Sequence, residues 1–420
     1  MMSKILYNIF LQLYASGVQV ASLWNSKAAK WVKGRKNIFS EINSKIKEIQ
    51  GRPVWMHCAS LGEFEQGRPL LEEIKKNYPK QSIILSFFSP SGYEVMKDYK
   101  GADYVFYLPM DSALHAKKFL DAVNPCLALW VKYEYWFYYL HELKKRNIPT
   151  VLVSGIFRDS QPFFKWYGHI WRIMLSSFTH FFVQNEDSKE LLKQLGYDDN
   201  VSINGDTRFD RVLEISEKYV PVPFIEEFCG TDKVVVAGST WEEDEIELLH
   251  FINTNPGIKF IIVPHEIDKE NISNVKDEFP KSILYSQLQL ASFNATLPHV
   301  LIIDNVGMLS RIYKYATVTY VGGGFGADGV HNVLEAAVYG KPVVFGPVYE
   351  KFDEALGLLQ AGGGISIDGP VKLDAVLKNL LDDETACRQK GEAAKKYVTE
   401  HAGASKKILQ FIYENRLLTS

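Results

Sequence analysis

The chain has 420 residues, too many for one hydrophobic core, because cores stop growing near about 250–300 residues and split into domains of roughly 100–200. Its 47 basic and 50 acidic residues leave a net charge of -3, which excludes the broad positive field of a nucleic-acid binder, and its 46% hydrophobic content excludes a disordered chain. The four cysteines, Cys58, Cys126, Cys229 and Cys387, stand singly, with neither a CxxC metal spacing nor a disulfide framework, as suits a reducing compartment.

From Ile5 to Ser26 no residue is charged, a length that fits a bilayer crossing. However, Asn8, Gln12, Ser16, Gln19, Ser22 and Ser26 recur every three or four residues and leave Ile5, Ile9, Leu13, Val20 and Trp24 off that stripe. The spacing predicts an amphipathic helix lying in a membrane interface. Lys27, Lys30, Lys33, Arg35 and Lys36 follow, where they meet anionic headgroups and keep the rest of the chain on the cytoplasmic side. Residues 1–36 therefore read as a membrane-anchoring segment. A cleaved signal peptide, suggested by Lys4 and the small residues near Ala15, fits poorly with basic residues after the apolar run. A helix packed on its own domain is the other alternative.

Beyond the anchor, the runs "RPVWMHCAS", "QSIILSFFS", "ADYVFYLP", "PCLALWVK", "IPTVLVSGIF" and "HFFVQN" read as buried parallel strands separated by amphipathic helices. The alternation restarts with "KVVVAGS", "KFIIVP", "VLIID", "TVTYVGGG" and "KPVVFGP", and the Pro-containing "YVPVPF" marks a connection between the two series. The expected architecture is α/β, with two doubly wound Rossmann-like domains over about 37–215 and 216–420. Each should have a ligand crevice outside the carboxyl ends of its strands.

Several strand ends carry candidate chemistry. In "HCASLGEFEQ", Glu63 enters a helix, where a first-turn carboxylate is favoured by the helix dipole and is also well held to accept a proton. In "LWVKYEYW", Glu134 lies among aromatics, which calls for a raised pKa or a cationic partner; a surface ion pair with Lys132 is the local alternative. Arg208, in "NGDTRFD", suits a carboxylate or phosphate, against a salt bridge to Asp206 or Asp210. In the second half, Ser239 and Thr240 read as helix caps with Glu242 and Glu243 as box partners, or as phosphate contacts. Pro264 and His265 follow one strand, and Asp304 to Met308 follow another. In "GGGFGADGVHNVLEAAVYG", Gly324, Gly326 and Gly329 form a GxGxxG, but the helix is expected to begin after them, near His331 and Asn332, so the match is weak for a dinucleotide. Asn332 and Glu335 resemble a capping box, and equally a phosphate and ribose contact.

In order along the chain, "HCASLGE", "LPMD", "YEYW", "VQNEDSKELLKQLG", "NGDTRFD", "GSTWEEDE", "IIVPHE", "DNVG" and "GVHNVLEAAVYGKPVVFGP" resemble the 3-deoxy-D-manno-octulosonic acid (Kdo) transferases, over about Pro53 to Gly364. The resemblance implies a GT-B fold and inverting transfer of Kdo from CMP-Kdo to the lipid A precursor (lipid IVA) at the cytoplasmic face of the inner membrane, in lipopolysaccharide core biosynthesis. It implies Glu63 as proton acceptor and Glu134 and Arg208 as transition-state stabilisers. Pro264, His265, Val306, Gly307, Met308, Asn332, Val333, Leu334 and Glu335 then fall on CMP-holding segments, with Ser239, Thr240 and His331 as further donor contacts. No metal and no cofactor beyond the donor substrate is expected, and the final helix is expected to pack back on the first domain. Arg208 stands where a lysine is usual, "PHE" replaces a Pro-Arg-His run, Trp241 follows "GST" in place of a histidine, and Lys132 replaces an acidic neighbour of Glu134. Another GT-B sugar-nucleotide transferase or epimerase, or an NAD-dependent oxidoreductase using the GxGxxG, are the alternative functions, with a noncatalytic membrane scaffold outside the enzyme class.

Overall fold

The computed structural model describes residues 2–132, 134–288 and 297–418; Tyr133 of the "YEYW" motif lies outside the described residues. Two compact units divide inside the helix Arg208–Glu217, between Arg211 and Val212, and the residues from Gly403 onward belong to the first unit. The "YVPVPF" run at 219–224 thus lies within the second unit.

The first unit is built on a parallel sheet of β1 (Val54–Cys58), β2 (Ile83–Phe87), β3 (Tyr104–Tyr107), β4 (Leu127–Val131), β5 (Thr150–Gly155), β6 (His180–Val183) and β7 (Val201–Ile203), in the order β3-β2-β1-β4-β5-β6-β7. The second sheet comprises β8 (Val234–Thr240), β9 (Lys259–Pro264), β10 (Ser282–Leu284), β11 (Val300–Ile302), β12 (Val318–Val321), β13 (Val343–Phe345) and β14 (Gly364–Ser366), in the order β10-β11-β9-β8-β12-β13-β14. Central strands such as "VWMHC" and "LALWV" are buried at every position, because helices cover both faces of a parallel sheet. The three strands that the sequence pattern does not reveal, β7, β10 and β14, are edge strands, each with a single buried position and so no apolar run.

The N-terminal helix Met2–Ala21 packs on the first unit through Tyr7 and Leu11, and Asn8, expected on a free polar stripe, instead accepts a hydrogen bond from Tyr138 Oη at 2.7 Å. Ile5, Leu6, Ile9, Phe10, Leu13 and Val20 remain exposed. No helix among the described residues is long and apolar enough to cross a membrane. The next helix, Ser26–Gly34, is tied down by Arg35, whose guanidinium stacks on Trp31 and donates to Phe88 O (2.7 Å) and Leu108 O (2.9 Å). The helix Ala404–Glu414 buries Ile408 and Ile412 in the core beside the helix Leu61–Asn77.

Candidate active site

In the first sheet the strand order reverses between β1 and β4, so the chain segments leaving their carboxyl ends diverge and open a crevice. Glu63, 8% exposed, is the third residue of the helix Leu61–Asn77, and its carboxylate accepts the Ala59 N–H. The preceding Ser60 makes no capping bond with its side chain, so Glu63 itself secures the helix entrance.

Glu134 follows β4. Its carboxylate accepts from Trp136 Nε1 at 3.0 Å and lies 3.7 Å from Nε2 of His57, while its backbone oxygen accepts from Trp130. The ring facing it is therefore His57, from β1, and not the Lys132 ammonium. Lys132 sits in a left-handed turn (φ 63) and is directed to the Gln66 amide; with that amide turned so that its oxygen faces the two cations, the oxygen accepts from Lys132 Nζ at 2.9 Å and from Arg208 Nε at 3.2 Å.

Arg208 makes the local salt bridge, Nη2 to Asp206 Oδ2 at 2.7 Å with Nε at 2.9 Å. Burial works against the Asp206 charge, but Arg208 and then Lys132 hold this carboxyl below its ordinary range. Asp210, the other candidate partner, accepts the backbone N–H groups of Gly403 and Ser405 instead. Gln66 lies one turn along the same helix face from Glu63, which places the Lys132, Asp206 and Arg208 cluster beside that carboxylate's turn.

In the second sheet the reversal falls between β8 and β12. Here the cap expectation is corrected. β8 runs through Ser239, which takes a left-handed backbone (φ 53), and Thr240, whose hydroxyl donates to Glu245 at 2.7 Å. Burial pushes the Glu245 carboxyl up to about 7. The helix Glu242–Thr254 is entered one residue later, and Asp244, rather than Glu242 or Glu243, accepts the Trp241 N–H at 3.0 Å. Fully buried Asp244 also accepts from Gly323 N and Tyr320 Oη, both at 2.7 Å, and so clamps the glycine-rich loop to β8.

His265 and His331 stack at 4.3 Å, and Trp241 stacks on His265 at 4.7 Å. Trp241 Nε1 donates to His331 Nε2 at 2.9 Å. An indole can only donate, so Nε2 is a lone-pair acceptor and the His331 proton resides on Nδ1. Burial, reinforced by His265, accordingly lowers His331 to about 4, and burial lowers His265 as well.

The helix expected from His331 or Asn332 is only Leu334–Ala337. Asn332 accepts the Leu334 N–H at 3.2 Å and donates to Glu335 Oε1 at 3.1 Å, so the two polar side chains support each other. Val333 and Leu334 are buried. After β11, Val306 is 78% exposed, Gly307 has φ 85 and Met308 is buried. Pro264 ends β9 and His265 is exposed beyond it. The second unit's candidates thus gather at the carboxyl ends of β8, β9, β11 and β12. Sequence reasoning passed over His57, Gln66 and Asp244; the available signal was a polar residue amid an apolar strand or in the first turns of a helix.

Residues 32–211 match the family model described as 3-deoxy-D-manno-octulosonic-acid transferase (kdotransferase). The chain is 26% identical to the 3-deoxy-D-manno-octulosonic acid transferase of Haemophilus influenzae, over 86% of each chain. It is 27% identical to that of Aquifex aeolicus, over 80% of this chain and 88% of the relative. The chain thus carries a Kdo transferase family domain over residues 32–211 and is similar to Kdo transferases over most of its length. It is a glycosyltransferase. A bifunctional glycosyltransferase/methyltransferase of Fusobacterium nucleatum is 31% identical over 79% of this chain, which spans only about half (53%) of that relative.

Solved structures place the chain in the GT-B fold. UDP-GlcNAc 2-epimerase from Neisseria meningitidis aligns with TM-score 0.62 at 16% identity, covering 86% of this chain and all of that one. MurG of Acinetobacter baumannii aligns at 0.54 and 10%, covering 87% and 100%. At such identities the likeness is one of fold alone.

Proposed function

We propose that the protein transfers Kdo from CMP-Kdo to the lipid A precursor with inversion, using Glu63 as general base. The observation that carries this reading is the buried Glu63 carboxylate, fixed by the Ala59 amide at the point where the first sheet's strand order reverses, within a domain of this family. A hydroxyl of the acceptor sugar loses its proton to Glu63 as its oxygen bonds to the anomeric carbon of Kdo. The bond from that carbon to the CMP phosphate oxygen breaks on the opposite face. Proton removal of this kind contributes roughly 10²–10⁴-fold, and the oxocarbenium-like centre calls for a nearby carboxylate, the role given to Glu134.

Arg208, with Lys132 beside it, supplies positive charge that Asp206 neutralises only in part, suited to the Kdo carboxylate or the leaving phosphate. CMP is assigned to Pro264, His265, Val306, Gly307, Met308, Asn332, Val333, Leu334 and Glu335, with Ser239, Thr240 and His331 as donor contacts. Because Trp241 fixes the His331 tautomer, that imidazole offers Nδ1–H to a phosphate oxygen without carrying a charge. No metal or cofactor is assigned a part. The exposed apolar residues of the helix Met2–Ala21, next to Lys27, Lys30, Lys33 and Lys36, support interfacial attachment to the cytoplasmic face of the inner membrane, where a lipid acceptor presents its sugar.

The test is incubation of the full chain with CMP-Kdo and lipid A precursor, beside Glu63→Gln. Absence of transfer by the wild-type protein overturns the substrate assignment. Full activity in a stably folded variant removes Glu63 as the base and leaves the family likeness standing.

A further inference from the structure

We propose that His57 is a positioning residue for Glu134, its ring fixed by a directional hydrogen-bond chain from Trp55 through Ser86 so that Nε2–H is presented to the Glu134 carboxylate. The chain begins at a group that can only donate: Trp55 Nε1–H gives its hydrogen to Ser86 Oγ at 2.9 Å. Ser86 is completely buried, and its other hydrogen-bond partner is His57 Nδ1, also at 2.9 Å. Were Nδ1 protonated, the serine oxygen would accept from both rings and its own hydroxyl hydrogen would be left in the core without an acceptor, a cost of the order of a buried unmet polar group. The hydroxyl therefore donates to Nδ1, and the imidazole carries its proton on Nε2.

That nitrogen is buried, has no hydrogen-bond partner among the described residues, and lies 3.7 Å from Glu134 Oε2. The opposite tautomer would set an imidazole lone pair against a carboxylate oxygen, so both ends of the chain favour the same arrangement. His57 is 1% exposed and packed against Trp130 at 4.6 Å, so the ring cannot swing to another partner. The same carboxylate oxygen accepts from Trp136 Nε1, which holds it opposite the His57 ring. A closing movement of less than 1 Å brings Nε2 into hydrogen-bond range as Glu134 takes up its role. The functional consequence rests on the Glu134 role proposed above, whereas the tautomer does not.

Two measurements on the full chain decide the matter. Nitrogen-15 histidine spectra of the wild-type protein are expected to show His57 protonated on Nε2 and bare on Nδ1; the Nδ1–H tautomer overturns the proposal whether or not the protein transfers Kdo. In transfer assays, His57→Gln keeps a donor at the place of Nε2 and is expected to stay near wild-type kcat. His57→Asn keeps one only at the place of Nδ1 and is expected to lose about 10-fold or more in kcat with KM little changed, the scale of one hydrogen bond to a charged group. In a Glu134→Gln background the His57→Asn loss should largely vanish. Equal kcat for the two His57 variants, or an undiminished loss in the double variant, overturns the proposal. Should either variant fail to fold, the wild-type tautomer remains the deciding result.

Discussion

Replacing Asp244 by alanine tests how the second unit builds its ligand end. In the folded protein this fully buried carboxylate accepts three hydrogen bonds, from Trp241 N, Gly323 N and Tyr320 Oη. Truncation leaves three donors without an acceptor, each worth about 1–3 kcal/mol when buried and unmet. Because the donors relax together rather than independently, the expected loss is about 3–5 kcal/mol, at the upper end for a single substitution. Asp244→Asn keeps one acceptor oxygen but turns an NH₂ toward a donor, and should cost about 1–3 kcal/mol. Since two of the three bonds hold the strand-end turn and the glycine-rich loop, CMP affinity should fall with stability. Urea denaturation followed by tryptophan fluorescence, hydrogen exchange at the Gly323 amide and CMP titration together provide the assay. A loss below about 1 kcal/mol with Gly323 protection unchanged in Asp244→Ala would refute the clamp.

Three further outcomes are expected. Burial lowers His180 to about 4, against about 6.5 when unfolded, so its contribution to stability is complete above about pH 6.5 and is lost as the pH falls toward 4. His180 stacks on Phe411 of the final helix at 4.2 Å, so acid should loosen that helix first; His180→Phe should flatten the difference in melting temperature between pH 7 and pH 5, and an unchanged difference counts against it. Gly324→Ala places a Cβ 2.6 Å from the backbone nitrogen of Gly346, which cannot step aside as a side chain could; a loss of about 1–3 kcal/mol by denaturation and weakened CMP binding should follow. Finally, Leu6→Ser with Phe10→Ser should lower partitioning onto anionic vesicles by about 10-fold or more, with binding that weakens as salt rises; unaltered co-sedimentation would count against interfacial attachment.

Much of the framework is legible in the chain. Eleven of the fourteen strands among the described residues stand out as apolar runs between helical patterns, because strands covered on both faces have little room for polar side chains. The edge strands β7, β10 and β14 do not, because each buries only one residue, unlike the equally short but fully buried β11 and β13. Helix starts are less legible: the entry at Trp241 and the one-turn helix at Leu334 depart from the expected caps because other partners, Glu245 accepting from Thr240 and the Trp241 ring donating to His331, engage the groups that local rules would assign to capping.

The sequence by itself determined that carboxylates and glycine-rich turns stand at strand ends, since those residue types and the hydrophobic period are local properties. It also carried the motifs by which the family likeness is read. Which strand ends lie together was decided only by the tertiary structure. Glu63 follows β1 and Glu134 follows β4, and they flank one crevice because the sheet order reverses between those two strands. The same is true of charge. Lys132 and Glu134 are two residues apart, yet one is directed to Gln66 and the other faces His57, because a left-handed backbone at Lys132 separates them. Partners in a parallel sheet come from distant segments, and no spacing along the chain encodes that pairing.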